Sequence, residues 1–213
     1  HLKALDVYHY AGDEYAPDSD RIDWVDRYTI TDSSTRGLFT PAVNESLTGG
    51  SPTGDYPVQS RTYYDPKLGR VSYAVDYNDS GAATTVRLYD YIAEVDDLAT
   101  SDDESQKIRS IYQYEVTDQN MPIAVTWSEG QPFASANLSL IGRQYYDDLG
   151  LRVNGSVAYN TKEGAITPIS LSVYEYQTND PSLENYAQLM SVKQYRVVGT
   201  DDGIETQTGS APQ

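Results

Sequence analysis

Short runs of alternating polar and apolar residues, rich in Tyr, Val and Ile, recur along the chain and are separated by clusters of Gly, Asp, Asn and Pro. A period of two residues is typical of β-strands, whose successive side chains point to opposite faces of a sheet. The pattern predicts ten strands, over residues 2–10, 21–31, 59–65, 69–78, 84–93, 107–117, 138–147, 151–160, 168–177 and 187–198. In the fifth of these, Tyr89 and Tyr91 share one face while Leu88 and Asp90 share the other, so both faces are mixed.

One stretch of sequence returns after a fixed interval. Residues 61–71 read RTYYDPKLGRV, and residues 143–153, which begin 82 positions later, read RQYYDDLGLRV. Shorter repeats at nearly the same interval are Val7–Tyr10 with 88–91 and 173–176, Arg27-Tyr28 with Gln113-Tyr114 and Gln194-Tyr195, and Tyr77-Asn78 with Tyr159-Asn160. This self-similarity indicates about two and a half copies of one unit of about 82 residues.

The copies divide the chain into residues 1–82, 83–165 and 166–199, which we expect to form a single β-sheet domain. Residues 200–213 are polar and lack any periodicity, so they are predicted to be a flexible tail. The chain begins at His1 rather than Met, which indicates a processed or excised product.

These elements predict an all-β fold: an internally repeated, antiparallel, up-and-down sheet of about ten strands. The sheet either closes into a barrel or stays open as a long twisted strip. The best helical spacing lies in residues 182–190, where the other copies have a hairpin loop, and it predicts no more than a short helical turn.

The two eleven-residue repeats each contain a Tyr-Asp pair, a Leu-Gly turn and an Arg. These are Tyr64-Asp65, Leu68-Gly69 and Arg70 in the first repeat, and Tyr146-Asp147, Leu149-Gly150 and Arg152 in the second. The repeats resemble the tyrosine-aspartate repeats of Rhs and teneurin-type proteins, over residues 61–71 and 143–153 alone. The resemblance implies an antiparallel, strip-like surface sheet, and it carries no active site with it.

Composition restricts the partners and the cellular location that are expected for the protein. The chain has 20 Tyr but 2 Phe and 2 Trp, so most of its large apolar side chains carry a hydroxyl group suited to half-wet strands. A net charge of −17 repels phosphate backbones and argues against nucleic acid as a partner. No apolar run approaches the roughly 20 residues that cross a bilayer, so no transmembrane segment is expected. The acidic, Tyr-rich and Cys-free composition favours an extracellular or bacterial cell-envelope location.

Acidic loops between the first two strands of the full units are candidate calcium sites, because calcium binds about six to eight oxygen atoms from closely spaced carboxylates and carbonyls. The residues concerned are Asp18, Asp20, Asp96, Asp97, Asp102 and Asp103. Their spacing matches no specific calcium motif, and a solvated run of charge that keeps the hairpin ends soluble is the alternative interpretation. With 2 His and no Cys, the sequence argues against a transition-metal site, and no other cofactor is expected.

Aromatic side chains form a second candidate site. Trp24, Trp127, Tyr63 and Tyr145 are predicted to stack on sugar rings if several of them share one wet face of the sheet. Cross-strand packing between aromatic side chains is the alternative interpretation.

These patterns predict a non-enzymatic structural or adhesive protein, secreted or at the cell surface, that self-associates head-to-tail by pairing of sheet edges. The repeat stops midway through a unit, which leaves residues 2–10 at one edge of the sheet and 187–198 at the other. A carbohydrate-binding or carbohydrate-cleaving β-protein is the first alternative, with glycans as partners, and a barrel that binds a small ligand is the second. No catalytic residue is assigned, because spacing distinguishes none of the 32 Asp and Glu residues.

Overall fold

A computed structural model describes residues 4–10, 22–29, 58–65, 68–92, 107–121, 123, 137–162 and 165–197. Most of these residues lie in strands. The ten strands are β1 (Ala4–Tyr10), β2 (Ile22–Thr29), β3 (Val58–Tyr64), β4 (Val71–Tyr77), β5 (Ala83–Tyr91), β6 (Ile108–Val116), β7 (Leu138–Tyr146), β8 (Val153–Lys162), β9 (Ala165–Tyr176) and β10 (Leu189–Arg196). Each lies within three residues of the bounds that the alternating pattern predicts, so the prediction of ten strands is confirmed.

The strands form one antiparallel sheet in which spatial order follows chain order from β1 to β10. This order confirms the predicted all-β, up-and-down fold. The sheet is open, with β1 and β10 at its two ends, so the barrel form of the prediction is not the one adopted. The alternative of a barrel that binds a small ligand depended on closure of the sheet, and the sheet is open.

Residues 180–188 connect β9 and β10 through tight turns. The backbone N–H groups of Leu183, Tyr186 and Gln188 donate to carbonyl oxygens three residues earlier in the chain. The segment contains no helix, which agrees with the prediction of a short turn at most. Nowhere in the described ranges is there a helix long and apolar enough to cross a membrane.

The described strands divide into two compact units, with the boundary inside β5 between Val86 and Arg87. The first unit holds β1 to β4 and the beginning of β5, and the second holds the rest of β5 with β6, except Val116, and β7 to β10. Buried side chains of the first include Tyr28, Val58, Ala74 and Val75; those of the second include Leu88, Tyr112, Tyr114, Leu140, Tyr145, Val157 and Tyr159. The predicted single domain over residues 1–199 stays a prediction.

The repeat in sequence is accompanied by a repeat in strand register. Arg61 lies opposite Val75 in the β3–β4 pair, and Arg143 lies opposite Val157 in the β7–β8 pair, 82 residues later. A bulge interrupts both ladders at the same place, within the Tyr-Tyr pair of the motif. Equivalent residues of the two full copies are therefore paired with equivalent partners.

The third, partial copy keeps the register of the first. Tyr28 of β2 lies opposite Leu5 of β1, and Tyr195 of β10 lies opposite Leu171 of β9. In the sequence repeats Tyr195 corresponds to Tyr28, so the pairing of β9 with β10 reproduces that of β1 with β2.

The two motif hairpins close with the same backbone bond. Asp65 N–H donates to the carbonyl oxygen of Arg70 at 2.7 Å, and Asp147 N–H donates to that of Arg152 at 3.0 Å. One glycine in each turn has a positive φ, 64° in the first and 67° in the second, which is a conformation that only glycine adopts at little cost.

Gly150 and Gly69 are expected to respond differently to replacement by alanine. Gly69→Ala should cost roughly 1–2 kcal/mol, because a Cβ at positive φ crowds its own backbone, while no atom of a described residue beyond its two chain neighbours lies within 4 Å. Gly150→Ala should cost more, because its Cβ would lie 2.6 Å from the backbone nitrogen of Ile108 and 3.0 Å from Cα of Lys107. Urea unfolding of both variants measures the difference, and equal losses would contradict a contact between this turn and the start of β6.

Candidate functional site

The residues predicted to form an aromatic site lie in different places. Trp24 and Tyr63 are register partners in the β2–β3 pair of the first unit. Tyr145 belongs to the second unit and is buried, with 8% of its surface exposed. Trp127 lies outside the described residues, so the structure brings together two of the four.

All six predicted calcium ligands also lie outside the described residues, and calcium binding stays a prediction. Within the ranges that the structure describes, no group of three or more His, Asp or Glu side chains is placed to hold a metal ion.

The most polar buried group of the first unit surrounds Asp26, and we call it the Asp26 cluster: His9, Trp24, Asp26, Arg61 and Tyr63. Strand alternation places Trp24 and Asp26 on one face of β2. The register then puts His9 of β1 beside Trp24, and Arg61 and Tyr63 of β3 beside Asp26 and Trp24. Five residues from three strands therefore meet on one face of the sheet.

Asp26 is held by a two-pronged ion pair. Its side chain accepts Arg61 Nε–H on Oδ1 at 2.6 Å and Arg61 Nη2–H on Oδ2 at 2.8 Å. Asp26 is 1% exposed, so its charge is removed from water and is balanced mainly by this guanidinium. The hydrogen bonds to Asp26 also raise the pKa of Arg61 above its ordinary value. A carboxylate engaged on both oxygens by arginine fastens β2 to β3.

His9 completes the cluster from β1. Its Nε2 lies 3.3 Å from Asp26 Oδ2, without the geometry of a hydrogen bond, and its ring stacks on Trp24 with centroids 4.5 Å apart. The contact becomes an ion pair when His9 is protonated. His9 therefore adds a second neighbour to a carboxylate that already has a permanent cation.

Trp24 and Tyr63, the two members of the predicted aromatic site in this unit, pack against other side chains of the protein. Arg61 Cζ lies 5.6 Å from the centroid of the Trp24 ring, on which His9 also stacks. Tyr63 stacks on Tyr73 with centroids 4.2 Å apart. Stacking on a sugar ring needs an open aromatic face, so sugar binding stays a prediction that these contacts do not support.

The second unit fastens its strands with similar chemistry. Asp90 of β5 accepts two hydrogen bonds from Arg109 of β6, at 2.8 and 2.9 Å, and a third from Ser110 Oγ at 3.0 Å. Arg143 of β7 lies over the rings of Tyr112 and Tyr145, with Cζ 4.3 and 4.5 Å from their centroids. Arg109 therefore joins two strands, and Arg143 covers two aromatic side chains.

Tyr77 and Tyr112 are expected to make the protein sensitive to alkali. Burial raises the pKa of both phenols to about 12, against the attraction of Arg61 and Arg143 respectively. In the unfolded chain they ionise near pH 10, so between about pH 10 and 12 the unfolded state loses protons that the folded state keeps. Stability is then complete below about pH 10 and falls above it, by about 1.4 kcal/mol per pH unit for each group.

Urea unfolding at a series of alkaline pH values, followed together with phenolate absorbance, measures this slope. The double substitution Tyr77→Phe and Tyr112→Phe removes both phenols while keeping their rings. It should make the dependence on pH shallower, with the remaining slope coming from other phenols such as Tyr73, whose pKa burial also raises. A slope that the substitutions leave unchanged would contradict the assignment.

A third polar group, which we call the Arg152 clamp, joins the second motif hairpin to the β9–β10 connection. Its members are Asp147, Arg152, Tyr176, Thr178, Asn179 and Tyr186. Arg152 Nη1 donates to the carbonyl oxygens of Thr178 at 2.8 Å and Tyr186 at 2.9 Å, and Nη2 donates to Asn179 Oδ1 at 2.9 Å.

The guanidinium of Arg152 is also held on both flat sides. Its Cζ lies 4.5 Å from the ring centroid of Tyr176 and 4.0 Å from that of Tyr186. Its Nε lies 3.4 Å from Asp147 Oδ2, the same oxygen that accepts the hydroxyl hydrogen of Tyr186. Sequence reasoning identified Arg152 as part of the hairpin motif but missed its partners, because they lie 24 to 34 residues further along the chain.

No known family model matches the chain, and no curated protein is significantly similar to it. The resemblance to tyrosine-aspartate repeats accordingly stays a prediction.

Proposed function

We propose that the protein is a structural or adhesive component of the cell exterior that works as part of a larger assembly of β-sheet and not as an enzyme. The observation that carries this proposal is the use of its buried charges. Asp26, Asp90 and Asp147 are each 7% exposed or less. Asp26 and Asp90 each lie against an arginine of the neighbouring strand, and Asp147 lies against Arg152 at the other end of its own hairpin turn.

Such pairs resist separation of the strands that they join. Removing a buried carboxylate from its guanidinium leaves an uncompensated charge in a poorly solvated place, which costs about 3–5 kcal/mol. The pairs also select one register, because a shift by one residue would put the two partners on opposite faces of the sheet. Resistance to shear and a fixed register suit a scaffold or an adhesive surface.

Composition supports the proposed location, and the open edges of the sheet support the proposed association between copies. An acidic, Cys-free chain rich in Tyr suits the cell exterior. The proposed role needs no bound cofactor. The open sheet offers two edges, β1 and β10, through which copies of the chain can associate by adding strand to strand.

Light scattering and negative-stain microscopy of the purified protein over a range of concentrations test the proposal. We expect oligomers or filaments that grow with concentration and that persist in moderate salt. A strictly monomeric protein at high concentration would contradict it. A glycan array in parallel examines the alternative, since specific binding of one class of sugar, together with a monomeric state, would favour the carbohydrate-binding function.

A further inference from the structure

Deepening the proposed function, on which this inference rests, we propose that assembly is head-to-tail, with β10 of one copy accepting β1 of a second copy. The first argument concerns the same position in the three sequence copies. Tyr28 of β2 is 3% exposed and Tyr114 of β6 is 1% exposed, whereas Tyr195 of β10 is 50% exposed. Among the described strands, β2 and β6 are each flanked by two neighbours, and β10 pairs with β9 alone. Tyr195 is therefore exposed where its equivalents lie between two neighbouring strands.

Strand β10 is exposed along both of its faces. Its large apolar side chains are open to solvent: Leu189 is 47% exposed, Met190 69% and Val192 44%. Isolated apolar side chains at a surface are ordinary, but a row of them on an unpaired edge strand is a template for pairing with another chain. A strand added at this edge would cover part of these apolar side chains.

The hydrogen-bonding groups of β10 that face outward can be identified. Val197 N–H donates to the carbonyl oxygen of Ile169, and the register is regular from Val192 to Arg196. Antiparallel ladders alternate between residues that bond to the neighbouring strand and residues that do not. Tyr195 and Lys193 therefore bond to β9, while the backbone groups of Gln194, with those of Val192 and Arg196, point to the open edge.

Charge favours β1 as the strand that is added. The strand β10 carries Lys193 and Arg196 and no carboxylate, in a chain whose net charge is −17. Arg196 is exposed and makes no ion pair with any described residue. Two β10 strands would place these cations against each other, whereas β1 carries Asp6 and no Lys or Arg.

A carboxylate on one strand beside a cation on the neighbouring strand is an arrangement that the chain already uses. In each of its three copies the first strand supplies a carboxylate and the second strand a cation: Asp6 with Arg27, Asp90 with Arg109, and Glu175 with Lys193. Strand β10 already faces its own first strand, β9, so β1 of a second copy would lie along its opposite edge. Tyr8 and Tyr10 of β1 are 51% and 54% exposed, so this edge too has aromatic surface to bury.

Gln194→Pro tests the acceptor edge. Proline removes one outward N–H and keeps the bonds of β10 to β9, and edge strands tolerate it in that orientation. We expect the variant to fold, as judged by circular dichroism and its unfolding midpoint, and to lose the oligomers seen by light scattering. Gln194→Ala, which retains the N–H, is the matched control and should assemble like the wild type. Unchanged assembly of a folded Gln194→Pro protein would overturn the proposal.

Cysteine pairing tests the partner independently, because the chain has no Cys of its own. Tyr8→Cys is mixed in turn with Val192→Cys, Gln194→Cys or Arg196→Cys under mild oxidation, since a disulfide forms only where two Cα atoms come within about 4.4–6.8 Å. We expect covalent dimers in at least one mixture and none from any single variant. Dimers from a β10 variant alone, or from Tyr8→Cys alone, would identify like-with-like pairing and overturn head-to-tail order.

These experiments distinguish failure of the head-to-tail inference from failure of the proposed function. Wild-type oligomers without disulfides in any mixture would remove the head-to-tail inference and leave the assembly of the proposed function in place. Absence of wild-type oligomers at every concentration would remove both.

Discussion

Arg61→Ala is expected to lower the free energy of unfolding by about 3–5 kcal/mol, because it leaves the carboxylate of Asp26 without its cation. Asp26 is 1% exposed, so its carboxylate is poorly solvated when the guanidinium is absent. The guanidinium also lies over Trp24, and its removal uncovers part of that ring. Urea unfolding followed by circular dichroism and by tryptophan fluorescence measures the loss, and both signals should report it if unfolding is cooperative.

Arg27→Ala is the matched control for this experiment. Arg27 binds Asp6 with the same two-pronged geometry, at 2.8 and 2.9 Å, but the side chains are 56% and 34% exposed. An exposed pair of this kind contributes less than about 1 kcal/mol. Arg27 holds the pKa of Asp6 below its ordinary value through its hydrogen bonds, so this small contribution is present at neutral pH and is lost as the pH falls through the folded-state pKa of Asp6.

The contrast between Arg61 and Arg27 isolates the effect of burial, because the geometry of the two pairs is alike. Equal losses for the two variants would contradict the account. The double substitution Asp26→Asn and Arg61→Met removes both charges at similar volume, and it should recover part of the stability that Arg61→Ala loses.

Arg152→Lys is expected to destabilise the protein by about 3 kcal/mol, at the lower end of the cost of breaking a buried ion pair. Lysine keeps the positive charge but lacks the planar fork, and it cannot serve three acceptors while stacked between two rings. The turn segment around Asn179 and Tyr186 should then separate from the second motif hairpin. Amide hydrogen exchange measures this directly, as faster exchange in residues 178–188 than in β7 and β8.

Two other substitutions separate the parts of the Arg152 clamp. Tyr186→Phe keeps the ring over the guanidinium and removes the hydroxyl donor to Asp147, so it should cost about 1.5–3 kcal/mol. Lys193→Ala in the same unit removes the cation of an exposed pair with Glu175 and should leave the unfolding midpoint unchanged. Normal exchange protection of residues 178–188 in Arg152→Lys would contradict the role assigned to Arg152.

Local patterns were sufficient to predict the strands. Alternation and turn residues placed all ten, and the internal repeat linked residues 61–71 to 143–153, which adopt the same register and the same bulge. These features are determined by neighbours within a few positions along the chain, so a single sequence contains the information.

The polar partners could not be predicted in the same way. Asp26 and Arg61 are separated by 35 residues, and their contact depends on a register that the intervening chain does not encode in its spacing. A bulge at Arg27/Tyr28 also shifts the β2–β3 ladder, and alternation alone does not reveal it. Trp24 and Tyr63, two members of the predicted aromatic site, are register partners. Their stacking partners, His9 and Tyr73, follow from cross-strand positions that only the paired sheet supplies.

The strand order has a further consequence for how the chain reaches its native state. Every strand bonds to the one that precedes or follows it in sequence. The widest interval within a pair whose register is defined is the one from Thr29 to Val58. Each ladder can therefore be completed soon after its second strand leaves the ribosome, and synthesis itself sets the sequence of folding steps. A nascent chain stalled after β4 should already protect the amides of β2 and β3.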